Sequence, residues 1–226
     1  MLKKIISAGD VRKSRFHTES DVFIGMGSVA GQIPAVVFQK AAAILTGRRP
    51  SKPWWPLPAI RAVEARLHDG INAIEFGTGS STIWLAKRVA NVVAREHDEE
   101  WSKITKNRIT EQGLTNVDLQ YRGDHSYFAL NDDDLFDFAV VDGAYRWKCL
   151  ETLKEHMKPG GFIYFDNSDS DKDAKHYSEF DISGKHHAQR VVRDLISEGT
   201  VRSSIEFHGM IHGELFAGSG MIIEFN

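Results

Sequence analysis

The stretch EFGTGSST at residues 75–82 decides the predicted fold of this chain, because it joins a strand pattern to a helical one. Residues 72–76 (NAIEF) form a short apolar run, and residues 80–88 (SSTIWLAKR) begin with hydroxyl side chains that suit a helix cap. The glycines between them let the backbone pass close to a ligand, and the start of the helix offers N–H groups. The stretch therefore predicts a ligand-binding loop between a strand and a helix.

On the carboxyl side of this loop, short apolar runs alternate with helical runs. The predicted strands are 72–76, 91–96, 117–121, 136–141 and 162–165, and the predicted helices are 80–88, 98–112, 146–157 and 187–197. Such alternation is typical of parallel βαβ units, so we predict an α/β fold with a doubly wound, mostly parallel sheet. Two further strand-like runs, 201–208 and 220–225, flank a glycine-rich linker and predict a C-terminal hairpin.

On the amino side, residues 1–69 are predicted to form a helical N-terminal extension to a domain at residues 70–226. The extension contains predicted helices at 34–46 and 57–67, joined by the proline-rich segment RRPSKPWWPLP. Two tryptophans in that segment, Trp54 and Trp55, suit either the wall of a ligand pocket or an anchor in the core. The sequence alone does not choose between these two roles.

The composition excludes several classes of protein. The 226 residues carry 28 Lys and Arg against 31 Asp and Glu, a formal net charge of −3, whereas a general nucleic-acid binder has a basic surplus. The single cysteine, Cys149, allows neither an intramolecular disulfide nor a multi-cysteine zinc site. The first residues lack the apolar core of a signal peptide, and no run of roughly 18 apolar residues is present. We therefore expect a soluble, cytoplasmic protein that binds neither nucleic acid nor a membrane.

Three acidic residues stand at the carboxyl ends of successive predicted strands. Glu75 precedes the glycines, where a carboxylate repels a pyrophosphate but suits a ligand with an ammonium or sulfonium group. Glu96 ends the second strand, where an acid can accept hydrogen bonds from both hydroxyls of a ribose. Asp124 follows the third strand, where an acid can meet an adenine amino group. The alternative is that all three are surface acids at strand ends. Thr82 replaces the third glycine of a dinucleotide fingerprint, so that pattern is incomplete.

Taken together, these motifs resemble those of class I S-adenosylmethionine-dependent methyltransferases. The matching segments lie within residues 70–226 and are EFGTGSST, REHD at 95–98, GDHS at 123–126, FDFAVVDG at 136–143 and KPGGFIYFDN at 158–167. The resemblance implies a seven-stranded sheet with an antiparallel last strand. It also implies that the glycine loop binds the methionine part of the cofactor and that the next strand ends bind its ribose and adenine. The implied cofactor-binding residues are Glu75, Gly77, Gly79, Ser81, Glu96, Asp124, His125 and Asp142.

The acceptor is expected at the same edge of the sheet, because ligands of open α/β sheets lie beyond the carboxyl ends of the strands. Asp142 follows the fourth strand, and Asp166 and Asn167 follow the fifth. Two carboxylates and an amide oxygen have the chemistry to hold Mg²⁺ or another divalent cation. The arrangement is similar to that of the metal-dependent catechol and caffeoyl-CoA O-methyltransferases, which implies a metal at these three residues. The alternative is that Asp142 only orients a ligand and that the Asp-Asn pair caps a strand.

Four residues are candidate catalytic groups, namely Asp142, Tyr145, His208 and His212. Tyr145 stands where the catechol enzymes carry a lysine base, which is a departure from their pattern. The histidines reach the site if the sixth strand is parallel, and a neutral imidazole titrates near working pH. The polar stretch 167–186 is long for a connection and is a candidate lid, with Tyr177 and Phe180 as its contacts.

The sequence therefore predicts S-adenosylmethionine-dependent methyl transfer to an oxygen or nitrogen of a small-molecule acceptor. An NAD(P)-dependent oxidoreductase on a similar sheet is one alternative, against which Glu75 and the missing third glycine count. A cofactor-binding protein without catalytic activity is the other, because the acidic residues alone do not require catalysis. The sequence also leaves a homodimer open.

Overall fold

Seven strands form one sheet in the computed structural model, which describes residues 12–47, 52–168 and 185–226. The strands are β1 (Asn72–Phe76), β2 (Asn91–Glu96), β3 (Val117–Tyr121), β4 (Phe136–Val141), β5 (Met157–Asp166), β6 (Val201–Met210) and β7 (Ala217–Phe225). Their order across the sheet is β3-β2-β1-β4-β5-β7-β6. β1 to β5 pair in parallel, whereas β7 is antiparallel to both β5 and β6. The predicted doubly wound, mostly parallel sheet with an antiparallel hairpin strand is confirmed.

Helices pack on both faces of the sheet. They are α1 (Met26–Thr46), α2 (Leu57–Glu64), α3 (Ser80–Ala86), α4 (Glu99–Glu111), α5 (Arg146–Leu153) and α6 (Lys185–Ser197). Alternate residues of β1 enter different apolar clusters, since Ala73 packs with Trp55 and Tyr164, whereas Ile74 packs with Tyr127. Because successive side chains of a strand point to opposite faces, these clusters are the two cores on either side of the sheet.

The strands β1 to β4 begin and end at the predicted residues, but the prediction for β5 was wrong at its start. Phe136 pairs with Met157, the register then shifts, and Phe138 pairs with Phe162. The intervening Lys-Pro-Gly-Gly residues bulge out of the strand, with Gly160 at a φ of 74°. Pairing with β4 thus draws in residues that the sequence pattern assigned to a helix end and a turn.

The first helix also starts earlier than predicted, at Met26 rather than at Pro34, which lies inside it. The prediction relied on the preference of proline for the first turn of a helix. In the structure the preceding turns are held by tertiary contacts, because α1 packs against β6. Val29 is buried, and the side chain of Gln32 accepts the amide of Met210 at 2.9 Å.

The described part of the N-terminal extension shares the core of the sheet. Trp55 is fully buried, with its ring centroid 4.0 Å from that of Tyr164 and 6.0 Å from that of Trp84. The next residue, Pro56, forms a bridge with Ile211 in the C-terminal hairpin. The division of the chain at residue 70 stays a sequence-based prediction.

The helix α1 is also notable for its exposed apolar side chains. Its stretch Met26–Leu45 is long and apolar enough to cross a membrane by length and composition alone, and 17% of that stretch is buried. Phe38 and Leu45 are 75% and 85% exposed. The sequence predicts only the second part of this helix, from Pro34, and so does not indicate an apolar helix of this length.

Between β3 and β4 the chain makes only a 3-10 turn, His125–Tyr127, where the other parallel strands are joined by α-helices. A groove of about 740 Å³ therefore remains on that face of β1 to β3, lined by strand residues such as Arg95 and Gln120 and by the following loop. The predicted site residues lie elsewhere, at the carboxyl ends of the strands.

Candidate functional site

The glycine loop is held in a conformation that requires glycine. Gly77 has a φ of 91°, and a Cβ atom on it would lie 2.6 Å from backbone atoms of Gly143, in the loop after β4. The loop is tied to α4 through Trp101, whose indole Nε1 donates to the carbonyl of Thr78 at 2.6 Å. The loops after β1 and β4 therefore touch, and they leave an open cleft in front of α4.

Glu96 at the end of β2 anchors this loop. Its Oε2 accepts the amide and the hydroxyl of Thr78 at 2.9 and 2.8 Å. Its Oε1 accepts the amides of His97 and Asp98 at 2.9 and 3.0 Å. Although only 3% of Glu96 is exposed, it lines the cleft, so its carboxylate is both a structural anchor and an acceptor within reach of a ligand.

Glu75 lies beneath the loop rather than on the cleft surface. The residue is fully buried, and its Oε2 accepts the hydroxyl of Thr82 at 2.5 Å, while Thr82 in turn accepts the amide of Gly79. Burial raises the pKa of Glu75 from 4.5 to about 8, and the nearby hydroxyls of Ser81 and Thr82 only partly oppose this. Its Oε1 has no hydrogen-bond partner among the described residues. The predicted contact of Glu75 with a ligand ammonium group stays a prediction.

The cleft has a volume of about 380 Å³ and fits the predicted cofactor in its chemistry. It offers a glycine turn for close approach, a buried acid for a diol, and an aromatic wall. Its lining residues are Gly77, Thr78, Glu96, His97, Asp98, Glu100, Trp101, Ile104, Asp142 and Gly143. The sequence reasoning missed Thr78, His97, Asp98, Glu100, Trp101, Ile104 and Gly143. Helical spacing of Trp101 and Ile104 after the acid of β2 was the signal that could have found them.

Two predicted adenine contacts are not among the residues that line this cleft. Asp124 is exposed and accepts the amide of Ser126 at 2.8 Å, so it caps the 3-10 turn after β3. His125 is exposed beside Phe128, with ring centroids 6.0 Å apart. The structure does not bring these side chains together with Glu96, and their role stays a prediction.

A second cleft, of about 360 Å³, adjoins the first at Asp142. Its lining residues come from the N-terminal extension, from the ends of β4 and β5, and from the C-terminal hairpin: Arg12, Glu19, Trp54, Asp142, Asp166, Asn167, Ile211, Glu214 and Phe216. Trp54 is 49% exposed and forms part of the wall. Asp142 belongs to both clefts, so one carboxylate faces the expected cofactor on one side and the expected acceptor on the other.

Asp142 is held by partners from three parts of the chain. Its Oδ2 accepts the indole N–H of Trp55 at 3.3 Å, and its Oδ1 accepts Nη2 of Arg146 at 3.1 Å. The carboxyl group of Asp166 lies close enough to Asp142 for the two groups to interact electrostatically. Asp166 is buried and accepts the hydroxyl of Tyr164 at 2.7 Å. Burial and the charge of Asp142 raise the pKa of Asp166 well above its usual value.

The three predicted metal ligands converge, but on a guanidinium group. Arg146 donates to side-chain oxygens of Asp142 and Asn167 and to the carbonyl of Asp166. A cation already neutralises the donor set, so these residues do not fit a divalent metal. Asn167 adopts a left-handed conformation with a φ of 52°, which turns its amide oxygen towards Arg146.

The other candidate bases lie outside both clefts. The ring of Tyr145 packs against Phe128 and Tyr127, and Tyr145 lines neither cleft. Nδ1 of His208 pairs with the hydroxyl of Ser219 at 2.7 Å within the terminal hairpin. Burial lowers the pKa of His212 from 6.5 to about 4, so this imidazole is neutral at pH 7. Of the predicted catalytic residues that the structure describes, Asp142 is the one that lines the clefts.

The candidate lid lies outside the described residues from position 169 to position 184, and this includes Tyr177 and Phe180. The prediction of a lid is therefore not tested.

No protein-family model matches this chain, and no curated protein matches it in sequence. Solved structures match it in fold. An O-methyltransferase from Bacillus cereus in complex with SAH is 21% identical, with a TM-score of 0.59, over 92% of this chain and 94% of that one. The O-methyltransferase TomG from Streptomyces achromogenes, in complex with SAM, is 18% identical, with a TM-score of 0.59, over 88% and 96%. An rRNA methylase from Streptococcus thermophilus is 12% identical, with a TM-score of 0.52, over 76% and 96%.

These similarities, together with the strand order, establish the fold of class I S-adenosylmethionine-dependent methyltransferases. The predicted fold resemblance is confirmed. Proteins whose names give different acceptors share this fold, so the fold by itself does not identify the acceptor of this chain.

Proposed function

We propose that this protein transfers the methyl group of S-adenosylmethionine to an oxygen or nitrogen of a small-molecule acceptor. The observation that carries the proposal is the position of Asp142, which borders both the cleft of the glycine loop and the cleft of Trp54 and Asp166. Two adjoining clefts with one shared polar group are what an in-line transfer between two bound molecules requires. The fold supports the choice of cofactor.

The cofactor, when bound, supplies an activated methyl group, so the protein has to bind, align and deprotonate. In this proposal Glu96 accepts hydrogen bonds from the ribose hydroxyls, and the loop from Gly77 to Gly79 holds the methionine part. Asp142 accepts a hydrogen bond from the acceptor O–H or N–H, orients its lone pair towards the methyl group, and takes up the proton that the acceptor loses as its bond to the methyl carbon forms. The ion pair with the buried guanidinium of Arg146 keeps this carboxylate in place.

The lining of the second cleft supports a small acceptor rather than a nucleic acid. Most of its charged lining residues are acidic, namely Glu19, Asp142, Asp166 and Glu214, against Arg12. Glu19 pairs with Arg12 at 2.9 Å, which leaves no basic surplus to neutralise a phosphate backbone. A volume of about 360 Å³ also lies within the usual range for small-molecule sites.

A homodimer and a cytoplasmic location are finer parts of the same proposal. The exposed apolar side chains of Phe38, Ile44 and Leu45 on α1 support a dimer, because burying them against a second copy removes apolar surface from water. Light scattering is expected to give twice the monomer mass and to return to the monomer mass for Phe38→Glu. Cell fractionation tests the location.

The first experiment measures binding by calorimetry with S-adenosylmethionine, S-adenosylhomocysteine, NAD and NADP. We expect the two sulfur-containing ligands to bind and to raise the melting temperature, since ligands that bind the native state stabilise it. Binding of NAD in a protein that ignores S-adenosylmethionine would replace the proposal by an oxidoreductase.

The second experiment follows methyl transfer from labelled S-adenosylmethionine to panels of phenols, amines and structured RNA. Transfer to RNA but to no small molecule would contradict the acceptor class while leaving the cofactor assignment intact. Asp142→Asn, which keeps the shape but removes the charge, is expected to lower kcat by about a hundredfold or more, as for a general base. Cofactor affinity should change far less in that variant.

A further inference from the structure

The side chain of Arg146 stands at the centre of the oxygen atoms that follow β4 and β5. Its Nη2 donates to Oδ1 and to the carbonyl of Asp142 at 3.1 and 2.8 Å. Its Nη1 donates to Oδ1 of Asn167 and to the carbonyl of Asp166 at 3.2 and 3.0 Å, and its Nε donates to the carbonyl of Gly143 at 3.0 Å. The guanidinium group thus bridges both strand ends.

Moving this guanidinium group out of the cluster would cost free energy. Arg146 is the first residue of α5, directly after Tyr145, whose φ of 48° sets the direction in which the helix begins. The side chain of Arg146 is only 7% exposed. A buried charge that breaks its hydrogen bonds loses partners that water does not replace, so the buried position holds Arg146 among these oxygens.

A divalent cation and this guanidinium compete for the same oxygens. A magnesium ion needs oxygen ligands at about 2.0–2.1 Å in octahedral geometry, whereas Oδ1 of Asp142 and Oδ1 of Asn167 both already accept N–H groups. A second positive charge beside Arg146 would also be repelled in a buried site. The donor set therefore holds one cation at a time.

We propose that Arg146 is a built-in cation of the acceptor site, and that it takes the place of a divalent metal among Asp142, Asp166 and Asn167. It positions the Asp142 carboxylate and bridges the loops after β4 and β5, so the cluster binds no divalent metal. Replacing Arg146 by a short neutral residue should convert the cluster into a metal site.

If the proposed function holds, Arg146 also determines which acceptors the site can bind. A metal ion can bind two oxygen atoms of one acceptor at once, which favours acceptors with adjacent oxygens. With Arg146 in its place, the acceptor is held by a hydrogen bond to Asp142, which needs only one O–H or N–H group. The acceptor is therefore a single phenol, alcohol or amine as readily as a vicinal diol, and methyl transfer should persist in excess EDTA.

The test is a titration with Mn²⁺, followed by calorimetry and electron paramagnetic resonance, without any cofactor present. Wild type is expected to show no site with a Kd below about 1 mM, and Arg146→Ser to bind one Mn²⁺ at least about tenfold more tightly, a gain of about 1.4 kcal/mol. The gain should disappear in Arg146→Ser/Asp166→Asn. Arg202→Ala removes an arginine that is 62% exposed on β6, and this control should bind no Mn²⁺.

Two results would overturn the inference. One is a wild-type protein that binds one Mn²⁺ and loses it on Asp166→Asn. The other is a folded Arg146→Ser variant that binds no more tightly than wild type. Should that variant not fold, Arg146→Gln keeps an N–H donor without the charge and gives the same comparison. Metal binding is read without methyl transfer, so a protein that transfers no methyl group still decides this inference.

Discussion

On the cofactor side of the site, Glu96 holds Thr78, which is 18 positions away, and two amides that directly follow it. On the acceptor side, Asp142 is held by Trp55, which is 87 positions away, and the cleft is closed by the terminal hairpin. Arg12 donates to the carbonyl of Ala217 across 205 positions. One side is a local motif, and the other is assembled from both ends of the described chain.

The two clefts therefore differ in how many distant parts of the chain set their shape, and this indicates where variation in the proposed acceptor can arise. The shape of the glycine loop depends on few residues, because Glu96 holds Thr78 and Gly77 lies against Gly143. The acceptor cleft depends on how the N-terminal segment and the hairpin meet at Pro56 and Ile211. Changes far from Asp142 in sequence can therefore reshape the proposed acceptor cleft without touching the cleft of the glycine loop.

The largest expected effect is the loss of stability on replacing Trp55, which anchors the N-terminal segment in the core. Trp55→Ala should lower the free energy of unfolding by about 3–5 kcal/mol, because it removes a fully buried ring packed on Tyr164. The neighbouring Trp54 is 49% exposed, so Trp54→Ala should cost less than about 1 kcal/mol while raising the KM for the acceptor. Urea titrations of both variants check this. Equal losses would mean that the two tryptophans do not divide these roles.

The next effect is a difference in stability between alanine variants of two glycines with positive φ, Gly77 in the glycine loop and Gly113 after α4. Gly77→Ala should destabilise the protein by about 2–5 kcal/mol, because it adds a clash with Gly143 to an unfavourable positive φ. Gly113 has a φ of 63° but open space around it, so Gly113→Ala should cost only about 1–2 kcal/mol. Chemical unfolding measures both. A Gly77→Ala variant as stable as Gly113→Ala would show that the two loops are not packed as described.

Replacing Glu96 tests whether its carboxylate binds the proposed cofactor. Glu96→Ala should weaken binding of S-adenosylmethionine roughly ten- to a hundredfold, since loss of a charge-assisted hydrogen bond costs about 1.5–3 kcal/mol. Glu100 lines the same cleft but is 80% exposed, and Glu100→Ala should change affinity by no more than about twofold. Calorimetry on the folded variants gives both values. Unchanged affinity in Glu96→Ala would refute the ribose assignment.

A further expected effect is a dependence of stability on pH that arises beneath the glycine loop. Burial raises the pKa of Glu75 to about 8 from 4.5, so folding takes up a proton between these values. The stability supplied by the neutral carboxyl is full below pH 4.5 and is lost as the pH rises through about 8. Wild type should therefore lose stability relative to Glu75→Gln from pH 5 to pH 8. Melting temperatures that stay parallel over this range would show that Glu75 is ionised in the folded protein.

The sequence was sufficient for the sheet and the glycine loop, because both are written in short-range patterns. The apolar runs at β1 to β4 match the observed strands, and Gly77 and Glu96 lie where the spacing predicted them. It failed at the start of β5 and of α1, where pairing with β4 and contacts with β6 override local preference. The ligand contacts of Asp124 and Tyr145 stay predictions; in the structure Asp124 caps a turn and Tyr145 packs on aromatic rings.

The tertiary structure alone decided the acceptor side. The sequence placed Asp142, Asp166 and Asn167 at one edge of the sheet, but only the fold shows that Arg146 lies among them. The sequence likewise offered two roles for adjacent tryptophans, and the fold assigned the core to Trp55 and the cleft to Trp54. The reason is physical: neighbouring side chains can point to opposite sides, and which side is buried depends on residues far along the chain.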